Sequence, residues 1–177
     1  MAGPQDLNAL AEEFLGACIA SLDTIPAFAP GLGGAPERSF ISPGAPALDC
    51  CDQLTVHANF VQDAPISPGG LTAGRRATYG KVNLVSLVAV IARCVPIITE
   101  KDWPTPAEMD AAAEQLNADA WALWNHTYNL VAAEQLFTRC GEVYWDGINS
   151  FAPSGGCGGW NFTVRVRLDG YQEVIGT

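Results

Sequence analysis

Between residues 81 and 95 the sequence is apolar at both parities: Val82, Leu84, Val88 and Val90 interleave with Val85, Leu87, Ile91 and Val95. A strand of that kind has no face to offer water, so it belongs in the middle of a sheet covered on both sides. Its neighbours are legible by contrast. Residues 160–168 alternate, with Trp160, Phe162, Val164, Val166 and Leu168 on one face and Asn161, Thr163, Arg165 and Arg167 on the other. Residues 54–62 alternate too, with Leu54, Val56, Ala58 and Phe60 opposed to Thr55, His57 and Asn59. Both patterns predict half-buried strands. Between 54–62 and 81–95 every period breaks in a Pro- and Gly-rich stretch, which predicts a long β-hairpin with a projecting tip over residues 64–80. A shorter strand is predicted over 142–148, followed by a flexible turn at 154–159.

Two helical signals flank these strands. Leu7, Leu10, Ala11, Phe14, Leu15, Cys18 and Leu22 recur at spacings of three and four, with Glu12 and Glu13 opposite, which predicts an amphipathic first helix. Thr105-Pro106-Ala107-Glu108 combines an N-cap Thr, Pro at the first helical position and Glu three residues after the cap, a capping box. The helix it starts runs through Met109, Ala112, Ala113, Leu116, Ala120 and Leu123, with Glu108, Asp110, Glu114 and Asp119 expected to face away. Asn125-His126-Thr127 marks a bend, and a second stripe through Leu130, Val131, Leu136 and Phe137 leaves one kinked helix or two as alternatives. Residues 24–48, rich in Pro, Gly and Ala, read as an extended connector, and a stretch of that length inside a domain tends to have a task of its own. The expected architecture is a single α+β domain over residues 1–177. It has a mostly antiparallel four-stranded sheet flanked by helices in the order α-β-β-α(α)-β-β.

Charge restricts function. With 9 Lys and Arg against 19 Asp and Glu the net charge is −10, and the only adjacent basic pair is Arg75-Arg76. A protein that grips phosphate backbones needs clustered cations, so nucleic-acid binding is not expected. Charged residues make up only 16% of a chain that is 49% hydrophobic, which suggests apolar surface that other subunits cover. No run reaches the length of a membrane span, and no membrane partner is expected. The first residues are neutral to acidic, so secretion is not expected either, and the six cysteines are anticipated as mostly buried, reduced thiols.

The chemical motifs are sparse. His57, on the polar face of a strand, and His126, in the helix bend, have no Cys, Asp or Glu at metal-ligand spacing, and Cys50-Cys51 is an adjacent pair without a second pair. Gly31-Leu32-Gly33-Gly34 lies in the connector, and the glycines of 154–159 lead into a strand, so neither has the helix start that a phosphate loop uses. No metal, cofactor or catalytic residue is expected. With secretion not expected, the two sequons, at Asn125 and Asn161, are expected to be chance matches of a short, common tripeptide. Of the five tryptophans, Trp103 stands in a loop beside the helix cap and is a candidate interface anchor; Trp121, Trp124, Trp145 and Trp160 are expected in the core.

Several local strings together carry a resemblance: Cys51-Asp52-Gln53-Leu54-Thr55-Val56; Val90-Ile91-Ala92-Arg93-Cys94-Val95-Pro96; Pro104-Thr105-Pro106-Ala107-Glu108-Met109-Asp110 with Asp119-Ala120-Trp121-Ala122-Leu123; and Gly155-Gly156-Cys157-Gly158-Gly159-Trp160 leading to Val164-Arg165-Val166. With the helix-first order they resemble small head-to-tail connector proteins of tailed phages infecting actinobacteria, in the tail-terminator group. The resemblance covers roughly residues 5–170. It implies a non-enzymatic virion protein of the phage neck, assembled in the host cytoplasm. In that group a homohexameric ring caps the tail tube and presents a docking face to the head-side connector or stopper, and DNA passes through the lumen. The implied partners are further copies of the chain, the tail tube protein and the head-side protein. An acidic wall suits a channel that must not hold DNA. On this reading the candidate contact residues are Pro65, Ser67, Leu71, Arg75 and Arg76 at the hairpin tip, together with Trp103. The alternatives are another neck component such as the stopper, or a small α+β enzyme or ligand-binding domain whose polar groups meet only in the fold.

Overall fold

A computed structural model describes residues 7–25, 33–46, 52–65, 81–97, 103–154 and 156–168. The elements follow the chain as α1 (Leu7–Leu22), β1 (Arg38–Ile41), β2 (Gln53–Pro65), β3 (Lys81–Cys94), α2 (Pro106–Ala132), β4 (Val143–Ser154) and β5 (Cys157–Leu168). The architecture is α+β, with one mixed five-stranded sheet in the order β1-β2-β3-β5-β4. The additional strand comes from the stretch read as connector. Arg38–Ile41 pairs in parallel with the start of β2, Arg38 beside Gln53 and Ile41 beside Val56. Four residues are too short a run to show a period, which is why no strand is legible there.

β3 takes the central place its two apolar faces demand, hydrogen-bonded to β2 on one side and β5 on the other, both antiparallel. Pro65 pairs with Lys81, so β2 and β3 are the two arms of the expected hairpin. The sheet face bearing Leu54, Val56, Val85, Leu87, Ala89, Ile91, Phe162, Val164 and Val166 packs against Leu10, Phe14, Cys18 and Leu22 of α1 and Leu123 of α2. Burial of the Cys18 thiol pushes its pKa far above the ordinary range, so it behaves as a small apolar group. The opposite face departs from expectation, because Gln53, Thr55, His57 and Ser86 are also buried. β2 is therefore enclosed on both faces in its first half, and His57 is not on a solvated polar face.

The β4–β5 hairpin is tighter and longer than the sequence suggests. β4 continues to Ser154, which pairs with Cys157, so Gly158 and Gly159 are strand residues opposite Arg93 and Ala92. The physical reason is space. A Cβ at Gly159 would overlap the Ile91 carbonyl oxygen and lie 2.7 Å from Phe151 Cζ, so the glycine admits close strand contact and is no mark of looseness. Cys157 is disulfide-bonded, to a partner outside the described residues, and so departs from the expected set of reduced thiols; Cys18, Cys94 and Cys140 are thiols.

α2 begins where the capping box places it. The Thr105 hydroxyl accepts from the Glu108 N–H at 3.3 Å, and the Thr105 N–H donates to Glu108 at 2.7 Å, which holds that carboxyl's pKa below its ordinary value. The helix then runs unbroken to Ala132. At the expected bend, the Thr127 hydroxyl donates to the Leu123 carbonyl within the helix, so one helix is present. Leu136 and Phe137 are buried but follow the helix, in a turn fixed by the Phe137 N–H donating to Glu13 at 2.6 Å.

Asp119, expected to face solvent, is fully buried. Arg93 at the end of β3 explains it. The Arg93 guanidinium, 2% exposed, donates from Nε to Asp119 Oδ2 at 2.9 Å and from Nη2 to Oδ1 at 3.0 Å; Nη1 meets Asp52 at 2.8 Å and Nη2 also reaches the Gly34 carbonyl at 2.7 Å. Gln115 Nε2 gives Asp119 a further bond at 2.9 Å. Burial works against the Arg93 charge, but the hydrogen bonds and charges of Asp119 and Asp52 outweigh it and hold its pKa above the ordinary value.

Breaking a buried pair from one side strands the other charge and costs about 3–5 kcal/mol. Arg93→Met is therefore expected to lower the urea-unfolding free energy by about that amount, while Arg93→Met with Asp119→Leu recovers most of the loss. The His57 pKa is lowered from 6.5 by burial, so protonation favours the unfolded chain. Its contribution is complete above pH 6.5 and falls as pH drops below that value. Denaturation curves from pH 7.5 to 5 are expected to show this slope, and His57→Gln should flatten it.

Candidate functional site

The buried stripe of α2 is Gln115, Asp119, Leu123 and Thr127, at spacings of four. The opposite stripe, from Asp110 through Glu114, Asn117 and Trp121 to Tyr128, faces outward. Trp121 is 66% exposed and Tyr128 50%, which corrects the expectation that Trp121 lies in the core. Acids and an amide precede it on the same stripe, and that pattern is the signal by which its exposure is readable.

Beside this stripe, α2 and the β4–β5 hairpin enclose a groove of about 450 Å³ lined by Asn117, Ala120, Trp121, Trp124, Gly147, Ile148 and Trp160. Each wall has a local cause. Between Trp145 and Gly147 the β4 register shifts, and Gly147 sits at φ 108°, a left-handed conformation that suits glycine and leaves the floor without a side chain. The Trp160 indole N–H donates to the Leu116 carbonyl at 2.7 Å, so its polar atom is satisfied and its ring is held. Trp124 is set by its neighbours, 5.8 Å from Trp145 and 6.2 Å from Phe162 between ring centroids; Trp145 stacks on Phe162 at 5.7 Å and meets Tyr128 at 5.8 Å. Two indoles are thus fixed by packing and a third, Trp121, stands at the mouth. The described lining offers one amide and a set of aromatic and apolar faces, a surface for holding an apolar side chain.

A second cavity of about 400 Å³ lies at the far end of α2, between Arg93, Cys94, Val95 and Pro96 on one side and Glu108, Ala111, Ala112 and Gln115 on the other. Arg93 is already committed to two carboxylates, and Gln115 Oε1 is buried without a hydrogen bond. On the other side of the sheet, Tyr144 donates to Glu142, Arg165 pairs with Asp146, and Arg167 meets Glu142 at 3.1 Å. The bond to Glu142 raises the Tyr144 pKa. Such exposed pairs add little stability; their place on and beside β4, the outermost strand on that side among the described residues, is where charge discourages strand-to-strand sticking.

Of the residues singled out in the sequence, Pro65 closes β2 opposite Lys81, at the base of the hairpin tip. Ser67, Leu71, Arg75 and Arg76 lie outside the described residues. Trp103 is 73% exposed, two residues before the Thr105 cap, and lines neither cavity. No described helix is long and apolar enough to cross a membrane. No family model matches the chain, and no curated protein sequence matches it.

The two kinds of tryptophan separate experimentally. Trp121→Ala is expected to change unfolding free energy by less than about 0.5 kcal/mol, whereas Trp124→Ala, which removes packing from Trp145 and Phe162, is expected to cost about 3 kcal/mol or more. Chemical denaturation followed by circular dichroism measures both.

Proposed function

We propose that this chain is a structural protein of a phage neck, a tail terminator whose copies form a ring that caps the tail tube and joins it to the head-side connector, with DNA passing through the lumen. The observation that carries the reading is a pair of unlike sheet edges beside an exposed aromatic face. Among the described residues the outermost strands are β1, four residues in parallel pairing, and β4, twelve residues in antiparallel pairing. Phe40 is exposed on the first edge; Trp121, Tyr128 and Tyr144 are exposed on and beside the second. Unlike surfaces on one subunit suit head-to-tail contacts, which close into a ring when the rotation between neighbours divides a full turn. Exposed Trp and Tyr are residue types that anchor protein interfaces.

The likeness of the local strings to phage tail terminators supplies the more specific part: the hexameric state, the tube and head-side partners, and the place in the virion. The net charge of −10 fits a lumen that DNA slides through without adhering.

Deleting the coding sequence in the encoding phage is expected to give filled heads and tails that do not join, with tubes of uncontrolled length. Imaging of labelled particles is expected to place the protein at the neck. Joined particles of normal tail length without the protein, or purified virions that lack it, would overturn the proposal.

A further inference from the structure

The aromatic groove has a charge pattern that restricts what can fill it. α2 carries no Lys or Arg over its whole length, and Asp110 and Glu114, both exposed, continue the Trp121 stripe toward the helix start. The preferred occupant is therefore a segment with an apolar anchor followed by positive charge. Every arginine among the described residues is already engaged: Arg93 with Asp119 and Asp52, Arg165 with Asp146, Arg167 with Glu142, and Arg38 and Arg139 in contacts of their own. Residues 66–80 hold the adjacent pair Arg75-Arg76, contain no acid, and place Leu71 four residues ahead of the pair. This is a cationic stretch in a chain of net charge −10.

We infer that the groove between α2 and the β4–β5 hairpin receives residues 66–80 of a second copy of the chain, with Leu71 against Trp121, Trp124 and Trp160, with Arg75, on the same face of an extended segment, against Glu114 and Asp110, and with the adjacent Arg76 adding to the positive charge. The inference rests on the proposed head-to-tail association of subunits and names the contact that makes it. Spacing agrees. In extended form Leu71 and Arg75 are about 13 Å apart, while along α2 Trp121 is about 10 Å from Glu114 and about 16 Å from Asp110.

Reach argues for a second copy over the segment's own groove. Trp160, tied to Leu116 of α2, pairs with Ile91, ten residues along β3 from Lys81, or about 33 Å. Glu114 and Asp110 are farther still in the same direction. Arg76 is five residues from Lys81, a maximum span of about 18 Å, and Leu71 six residues from Pro65. Neither arm spans the distance within one chain. Trp121 is 66% exposed, so the described residues of its own chain leave it open.

The test uses charge reversal in the full-length chain, with circular dichroism to verify that each variant is folded. In sedimentation velocity over a concentration series at low salt, Arg75→Glu with Arg76→Glu is expected to weaken self-association at least tenfold. Asp110→Lys with Glu114→Lys should do the same, and combining all four substitutions should restore it. Reversal variants that associate like the wild type, or a combined variant that does not recover, would overturn the inference. If the wild type stays monomeric throughout the series, a fluorescein-labelled peptide of residues 64–82 is titrated into it and followed by anisotropy. Saturable binding, lost with Trp121→Ala in the protein or with Glu at both arginine positions of the peptide, supports the contact; absence of saturable binding refutes it. A chain that associates in this way yet is missing from virions would refute the neck assignment and leave the groove contact standing.

Discussion

The Arg93 guanidinium organises one end of this molecule. It stands on the central strand and binds a carboxylate of α2, a carboxylate just before β2 and the carbonyl of Gly34. A buried ionic cluster of this kind adds little to net stability, because desolvation consumes much of the Coulomb attraction. What it supplies is direction. A two-toothed contact from Nε and Nη2 to Asp119 allows few rotations of α2 about its own axis, and Gln115 one turn earlier fastens the same carboxylate. With Asp119 held inward, Trp121 is turned outward, since two residues along a helix is a rotation of about 200°.

The other half of the groove is fixed by a different kind of force. Phe14, Phe137 and Phe162 meet at centroid distances of 5.7–5.8 Å, and Phe162 carries the contact on to Trp145 and Trp124. The aromatic layer therefore runs without a break from α1, along the helix-covered face of the sheet, to the groove wall. The seating of α1 and the placing of the indoles therefore rest on one connected set of ring contacts.

Much of this was legible in the sequence where one residue type has one physical solution. The doubly apolar β3, the alternating β5 and the Thr105–Glu108 box each imply an element whatever surrounds them. The failures arise where a partner distant in sequence decides. Asp119 reads as a solvent-facing acid until Arg93 is placed beside it, and Trp121 reads as core because its size outweighs its position in a stripe of acids and amides. Gly158 and Gly159 read as slack, whereas both are strand residues, and Gly159 is where the Ile91 backbone approaches too closely for a side chain. β1 is invisible because four residues carry no period and its pairing is with a strand beginning a dozen residues later. Of the candidate site, Trp103 is legible as an exposed loop residue, but the groove is not, since its walls come from α2, β4 and β5.

The bulge in β4 has a consequence for what can lie alongside the molecule. An outer strand of twelve residues would ordinarily act as a template on which another chain could extend the sheet, rung after rung, toward a fibre. At Asp146 and Gly147 the spacing of donors and acceptors slips by one residue, and a regular strand laid along that border falls out of step halfway. Long ladders are frustrated there, and what remains permissible at this border is a short or irregular visitor.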